Sequence, residues 1–135
     1  KNEFLKKELI KPTKIYVNEI LKLIDKNLLN GCANITGGGI KDNIKRVIPS
    51  NLCAEIDLKK IKVLKVFKWL KNYNIRDKEM LKTFNCGVGF SIIINPKNLK
   101  KINKYFSKEF KPYIIGQIKS GTHKIKLNDK IKWSR

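Results

Sequence analysis

The sequence predicts an α/β fold, a layered α/β sandwich built on a mixed sheet. Three observations point there. Short apolar runs of strand length alternate along the chain with stretches whose apolar residues recur every three or four positions. The chain has 135 residues, one domain's worth, enough to bury roughly two thirds of the surface its unfolded form exposes. Its last two strand-like runs, 113–118 and 124–127, flank a turn at Gly121 and can pair as a hairpin, adding an antiparallel pair to strands otherwise joined through helices.

The elements follow in order. Residues 1–11 are lysine-rich with few apolar anchors, and Pro12 stops any helix before it. Val17, Ile20, Leu21, Ile24 and Leu28 then mark an amphipathic helix with Gly31 in the C′ position. Residues 32–36 suit a strand, and Gly37, Gly38 and Gly39 follow it. Asp42 or Asn43 is placed to cap a short helix that buries Ile44, Val47 and Ile48 and ends at Pro49. Leu52 to Leu58 alternates in part and reads as a strand. Val63, Val66, Phe67, Leu70 and Tyr73 form a helical stripe, and Asp77 suits the N-cap of a second helix carrying Met80, Leu81 and Phe84. These aromatic and methionine stripes read as core. Residues 88–94 form a strongly apolar strand, and Asn95-Pro96 caps and opens a helix whose buried side is Leu99, Ile102 and Phe106.

Composition narrows the chemistry. Cys32, Cys53 and Cys86 are odd in number and show no CxxC pairing, which argues for a reducing compartment and hence a cytoplasmic location. His123 is the single histidine, so the usual parts of a zinc site or a histidine-based triad are missing. No apolar run is long enough to span a bilayer, so no membrane partner is expected. The net charge of +20 invites a nucleic-acid reading. Lysine is scattered over nearly every segment, however, while arginine appears only at Arg46, Arg76 and Arg135. Lysine, isoleucine and asparagine together are what A- and T-rich codons encode, so no specific nucleic acid is expected.

The segment Ile35-Thr36-Gly37-Gly38-Gly39 stands out. Three glycines between an apolar run and a helix-like one let several backbone N–H groups converge on a phosphate, with the helix start adding positive charge. From the glycines alone, a tight strand-to-helix turn serves equally well. Lys41, Asn43 and Arg46 lie close in sequence. On a helix starting near Asp42, Arg46 reaches either an anion at the loop or a neighbouring surface carboxylate. The loop is neither a Walker A motif nor a dinucleotide fingerprint. A second block, Thr83-Phe84-Asn85-Cys86-Gly87-Val88-Gly89, presents a hydroxyl, an amide and a thiol beside two glycines. Without a histidine partner, Cys86 reads as packed or hydrogen-bonding rather than nucleophilic, and Asn85 is the better ligand contact.

Taken with PTKIYV at 12–17, the blocks ANITGGGIKDNIKRVIP at 33–49 and TFNCGVG at 83–89 resemble, in order and spacing, the C-terminal half of the aminoimidazole ribonucleotide synthetases. These are the phosphoribosylformylglycinamidine cyclo-ligases of purine biosynthesis. The resemblance runs from about Leu9 to about Lys119. It implies a C-terminal α/β domain over 13–135, partly ferredoxin-like, with 1–12 the linker from a missing N-terminal domain; a chain beginning at Lys1 is consistent with a fragment. It also implies a substrate, formylglycinamidine ribonucleotide, bound in a cleft between domains, and a homodimeric full-length enzyme. ATP and Mg2+ belong to the N-terminal domain, so this chain alone is expected to carry no cofactor and turn over nothing. The implied substrate and phosphate contacts are Asn34, Thr36, Gly37, Gly38, Gly39, Asn43, Arg46 and Asn85. Two positions depart from the family: Asn34 stands where a histidine is common, and can position but not shuttle a proton; Lys45 stands where proline is common. The alternatives are a basic nucleic-acid-binding module and a relative in the same ATP-dependent superfamily.

Overall fold

Short strands and short helices alternate along residues 2–133, the part of the chain that the computed structural model describes. In order they are α1 (Asn2–Leu9), α2 (Val17–Asp25), β1 (Gly31–Asn34), α3 (Gly39–Lys45), β2 (Leu52–Asp57), α4 (Lys65–Lys71), α5 (Asp77–Thr83), β3 (Phe90–Ile93), α6 (Leu99–Ile102), β4 (Gly116–Ser120) and β5 (Ile125–Asn128).

The sheet is mixed, as expected, but not through a terminal hairpin. β4 and β5 flank β2 and do not pair with each other: β4 runs antiparallel to β2 with Leu52 opposite Ser120, and β5 runs parallel to it with Ala54 opposite Ile125. The connection 121–124 therefore steps across the start of β2, where the Gly121 N–H donates to the Asn51 carbonyl (2.9 Å) and the Ala54 N–H to the Lys124 carbonyl (3.0 Å). Two strand spacings amount to about 10 Å, within reach of four extended residues at about 3.3 Å each. The arrangement gives β2, whose Ala54 and Ile56 are fully buried, a partner on both edges. On the other side of β2, Glu55 pairs with Lys119 of β4 (2.6 Å) and Lys126 of β5 (3.5 Å). The hydrogen bond from Lys119 leads in holding that carboxyl below its ordinary pKa. A second, two-stranded sheet pairs β1 antiparallel with β3, Gly31 opposite Ile93 and Asn34 opposite Phe90.

Several boundaries moved for local reasons. α2 ends at Asp25, and Asn27, not Gly31, takes the left-handed C′ position (φ 51°). The Leu28 N–H bonds the Leu23 carbonyl and the Asn27 N–H bonds that of Ile24, the Schellman pattern; Gly31 instead opens β1. Ile20 and Leu23 carry the buried seam of α2, while Val17, Leu21 and Ile24 are about half exposed. α3 begins inside the glycine run with Gly38 as N-cap, so Asp42 and Asn43 lie within the helix rather than capping it. Its large buried apolar residues are Ile40 and Ile44, followed by Ile48, with Gly39 and Asn43 also buried; Val47 lies past the helix end and is 37% exposed. At α5 the N-cap is Arg76, and Asp77 instead accepts from Lys71 (2.7 Å) and from the Trp133 indole N–H (3.0 Å). The helix expected after Asn95-Pro96 is broken into a 3₁₀ turn, Pro96–Asn98, the short α6 and a second turn, Asn103–Tyr105, with Ile102 buried and Leu99 at the surface. The strand expected at 113–118 runs instead from Gly116 to Ser120.

One core joins both sheets. Ile40 and Ile44 of α3, Ala54 and Ile56 of β2, Met80 of α5, Val88 and Ile125 pack together, with Phe67, Leu70 and Phe84 around them. α3 lies against β1, α5 and β5, so the glycine loop at its start is fixed from several sides. No helix among the described residues is long and apolar enough to cross a membrane.

Candidate functional site

The glycine loop carries β1 into α3, and the demands on its three glycines differ. Gly38 has φ 91° and Gly39 φ 62°, conformations that favour glycine, and a Cβ on Gly39 would run into the Leu81 carbonyl. Those two are explained by the turn and by the close approach of α5. Gly37 is exposed, its φ is not positive, and a Cβ there would meet nothing within 4 Å. The fold makes no demand on that position, and open space lies in front of it.

Asn43 sets which way the loop's polar groups face. Its side chain is buried, and Nδ2 donates to the carbonyls of Gly39 (2.8 Å), Gly37 (3.2 Å) and Thr36 (3.3 Å). In a trans peptide the N–H points opposite to the carbonyl of the same unit. With the Thr36 and Gly37 carbonyls drawn to buried Asn43, the Gly37 and Gly38 N–H groups face away from it, and neither meets a backbone acceptor among the described residues. The loop thus presents two donors turned away from Asn43, that of exposed Gly37 with open space in front of it and that of half-buried Gly38 beside the Asp42 carboxylate. Arg46 is one residue removed from this: Nη1 donates to Asn43 Oδ1 (3.3 Å), so the guanidinium reaches the loop through Asn43. With Asp42, Lys45 and His123, Arg46 also lines an open surface depression, in which a His123 ring nitrogen meets the Lys45 carbonyl (2.9 Å).

The three sequence blocks, far apart along the chain, meet at Gly89. Its carbonyl accepts the Ile35 N–H (2.9 Å), which ties the entry of the glycine loop to the exit of the TFNCGVG turn. Asn34, exposed at the end of β1, lies opposite Phe90. From the PTKIYV block, the Tyr16 ring packs on Phe90 (5.1 Å between centroids) and edge-on to Phe110 (5.6 Å), and its hydroxyl occupies the space that a Cβ on Gly89 would need. Asn34, Thr36 and the glycine loop therefore share one region with the turn that contains Asn85. Within that turn, Asn85 Oδ1 accepts the Gly87 N–H (2.9 Å), and Nδ2 has no hydrogen-bond partner among the described residues. In the sequence Tyr16 stands out only as part of its block. The signal for it was a hydroxyl-bearing aromatic in one block and a glycine in another, whose proximity is not visible along the chain.

Cys86 is fully buried, with Sγ against the Met80 carbonyl (3.6 Å) and the Phe84 carbonyl (3.7 Å). Burial first, and the Asp77 charge second, push its thiol up to about 12. It stays protonated at neutral pH, which suits packing and not nucleophilic attack.

The family described as AIR synthase related protein, C-terminal domain, matches residues 2–127. Among curated proteins, a phosphoribosylformylglycinamidine cyclo-ligase of Streptococcus pneumoniae serotype 4 is 42% identical over 115 residues, which cover 84% of this chain and 33% of that protein. Its counterpart in the Hungary19A-6 strain of the same species is similar to the same degree, 42% over 115 residues. The chain spans about a third of the length of the curated relatives it matches.

Proposed function

The chain belongs to the AIR synthase related proteins, as their C-terminal domain, and from that premise we propose that it is the C-terminal part of a phosphoribosylformylglycinamidine cyclo-ligase. In that reaction ATP phosphorylates the formyl oxygen of formylglycinamidine ribonucleotide, an amidine nitrogen closes the imidazole ring and phosphate leaves, giving aminoimidazole ribonucleotide. This chain supplies one wall of the cleft. The observation that carries the reading is the meeting of the three blocks at Gly89, which places the glycine loop beside the TFNCGVG turn.

In this reading the Gly37 and Gly38 N–H groups hold the substrate's phosphate, with Gly39 fixing the turn behind them. Thr36 adds an exposed hydroxyl. Asn43 sets the loop, and Arg46 orients Asn43 while lending positive charge. Asn34 and the free amide nitrogen of Asn85 supply further hydrogen bonds along the cleft. ATP and Mg2+ are assigned to the N-terminal domain, outside this chain. Among the described residues no three His, Cys, Asp or Glu side chains converge in a group that could hold a metal ion. The same proposal includes the partial likeness to the ferredoxin fold, a cytoplasmic location and a homodimeric full-length enzyme.

The test supplies formylglycinamidine ribonucleotide, ATP and Mg2+ to the isolated chain and to the chain fused behind the N-terminal two thirds of the pneumococcal relative. The isolated chain should form no aminoimidazole ribonucleotide, and the fusion should form it. A soluble, folded fusion without turnover overturns the proposal, as does robust turnover by the isolated chain. In the active fusion, Arg46→Ala should raise KM by about tenfold, because the guanidinium acts on the loop through Asn43 and through its charge, with kcat nearly unchanged and the melting temperature lowered by the loss of a partner to buried Asn43.

A further inference from the structure

The Tyr16 side chain is held by more of the fold than its chemistry inside the protein requires. Phe90 and Phe110 fix its ring, as they would fix a phenylalanine. The hydroxyl has no hydrogen-bond partner among the described residues, yet it is not sealed off: no side-chain nitrogen or oxygen among them is both buried and unpartnered. Room for that hydroxyl exists only because residue 89 is glycine, since any Cβ there would collide with it. Gly89 has no positive φ to explain its glycine otherwise. A half-buried hydroxyl that bonds nothing in the protein and is given space by a neighbouring glycine is open to water and to whatever ligand can displace that water.

Its location says what. Gly89 holds the Ile35 N–H, and Gly37 follows two residues later with its outward N–H. We propose that the Tyr16 hydroxyl donates a hydrogen bond to the phosphate ester of the substrate held at the Gly37-Gly38 loop. This rests on the reading of the loop as a phosphate site given above. Burial raises the phenol above its ordinary pKa, so the hydroxyl keeps its proton at neutral pH and remains a donor. A phosphate monoester, mostly dianionic at that pH, offers chiefly acceptors, and it completes the one capacity of this side chain that the fold leaves unused.

The test uses the 135-residue chain labelled at the tyrosine ring carbon that bears oxygen, titrated with ribose 5-phosphate at constant ionic strength, with ribose as control. The Tyr16 resonance is identified by its proximity to the Phe90 and Phe110 rings. It should move saturably with ribose 5-phosphate and stay still with ribose, a response that a purely structural tyrosine would not give. Tyr16→Phe keeps the ring and removes only the hydroxyl, so it should melt with the wild type and bind ribose 5-phosphate about tenfold more weakly. Saturable binding that leaves the Tyr16 resonance in place, or equal affinity in a folded Tyr16→Phe, overturns the role of Tyr16 and leaves the loop reading standing. A wild-type chain that does not bind ribose 5-phosphate at all overturns both.

Discussion

At Asn43 a single buried amide holds three carbonyl oxygens of the glycine loop and receives the Arg46 guanidinium on its own oxygen. Alanine at this position would leave the Thr36, Gly37 and Gly39 carbonyls turned toward a buried gap. Asn43→Ala should therefore cost about 2 kcal/mol of stability and free the loop, read by chemical denaturation and by faster amide exchange at Gly37 and Gly38. An unchanged denaturation midpoint would show that the loop holds itself. The site was partly legible at this scale. Gly38 and Gly39 are explained by backbone geometry, so a tight turn and a ligand cradle both apply, and only Gly37 is left to favour the cradle. The sequence puts Arg46 and Asn43 within reach of the loop without giving the order of their contacts, because a spacing of three on a short helix says that two side chains meet and not which one faces inward.

Among the elements, the end of α2 shows why boundaries were harder to read than identities. Apolar spacing identified the helix, since that signal is local and periodic. Sequence predicts its end at Gly31, glycine being the commonest left-handed residue, whereas Asn27 adopts that conformation four residues earlier and Leu28 closes over Leu23. Asparagine tolerates the left-handed region better than other side chains that carry a Cβ. Asn27→Ala should cost about 1 kcal/mol, while Asn27→Gly should hold or raise the melting temperature. If both variants melt with the wild type, the Schellman closure does not set the end of α2. The strand order was out of reach for a different reason: alternation marks 124–127 as a strand, but its partner is decided by Ile125 joining a core that includes α3 and α5. A short link between two strands suggested a hairpin. β2 took the place between them because it is the most buried strand and needs a neighbour on each edge.

Over the whole molecule, 31 lysines and arginines face 11 aspartates and glutamates, so most cations have no carboxylate to pair with. Three of the acids that pair serve particular joints: Glu55 bridges β4 and β5 through β2, Asp77 joins α4 to Trp133, and Asp129 holds Lys59. The Asp129 carboxylate, hydrogen-bonded to Lys59, raises that ammonium above its ordinary pKa. The remaining positive charge is scattered over nearly every segment of the chain and is rich in lysine, a strongly hydrated point charge, rather than in the arginine that reads base edges in bidentate fashion. Such a surface attracts any polyanion through counterion release and distinguishes none of them. Fluorescence anisotropy with labelled single- and double-stranded oligonucleotides of unrelated sequence should therefore show weak binding at physiological salt, equal across sequences and falling steeply as salt rises. The phosphate site proposed at the glycine loop should behave differently, because two fixed backbone donors are less screened than a diffuse field. Ribose 5-phosphate binding should thus persist at a salt concentration that abolishes oligonucleotide binding. Nanomolar, sequence-selective binding to one oligonucleotide at physiological salt would make the charge the functional surface and put the nucleic-acid reading first.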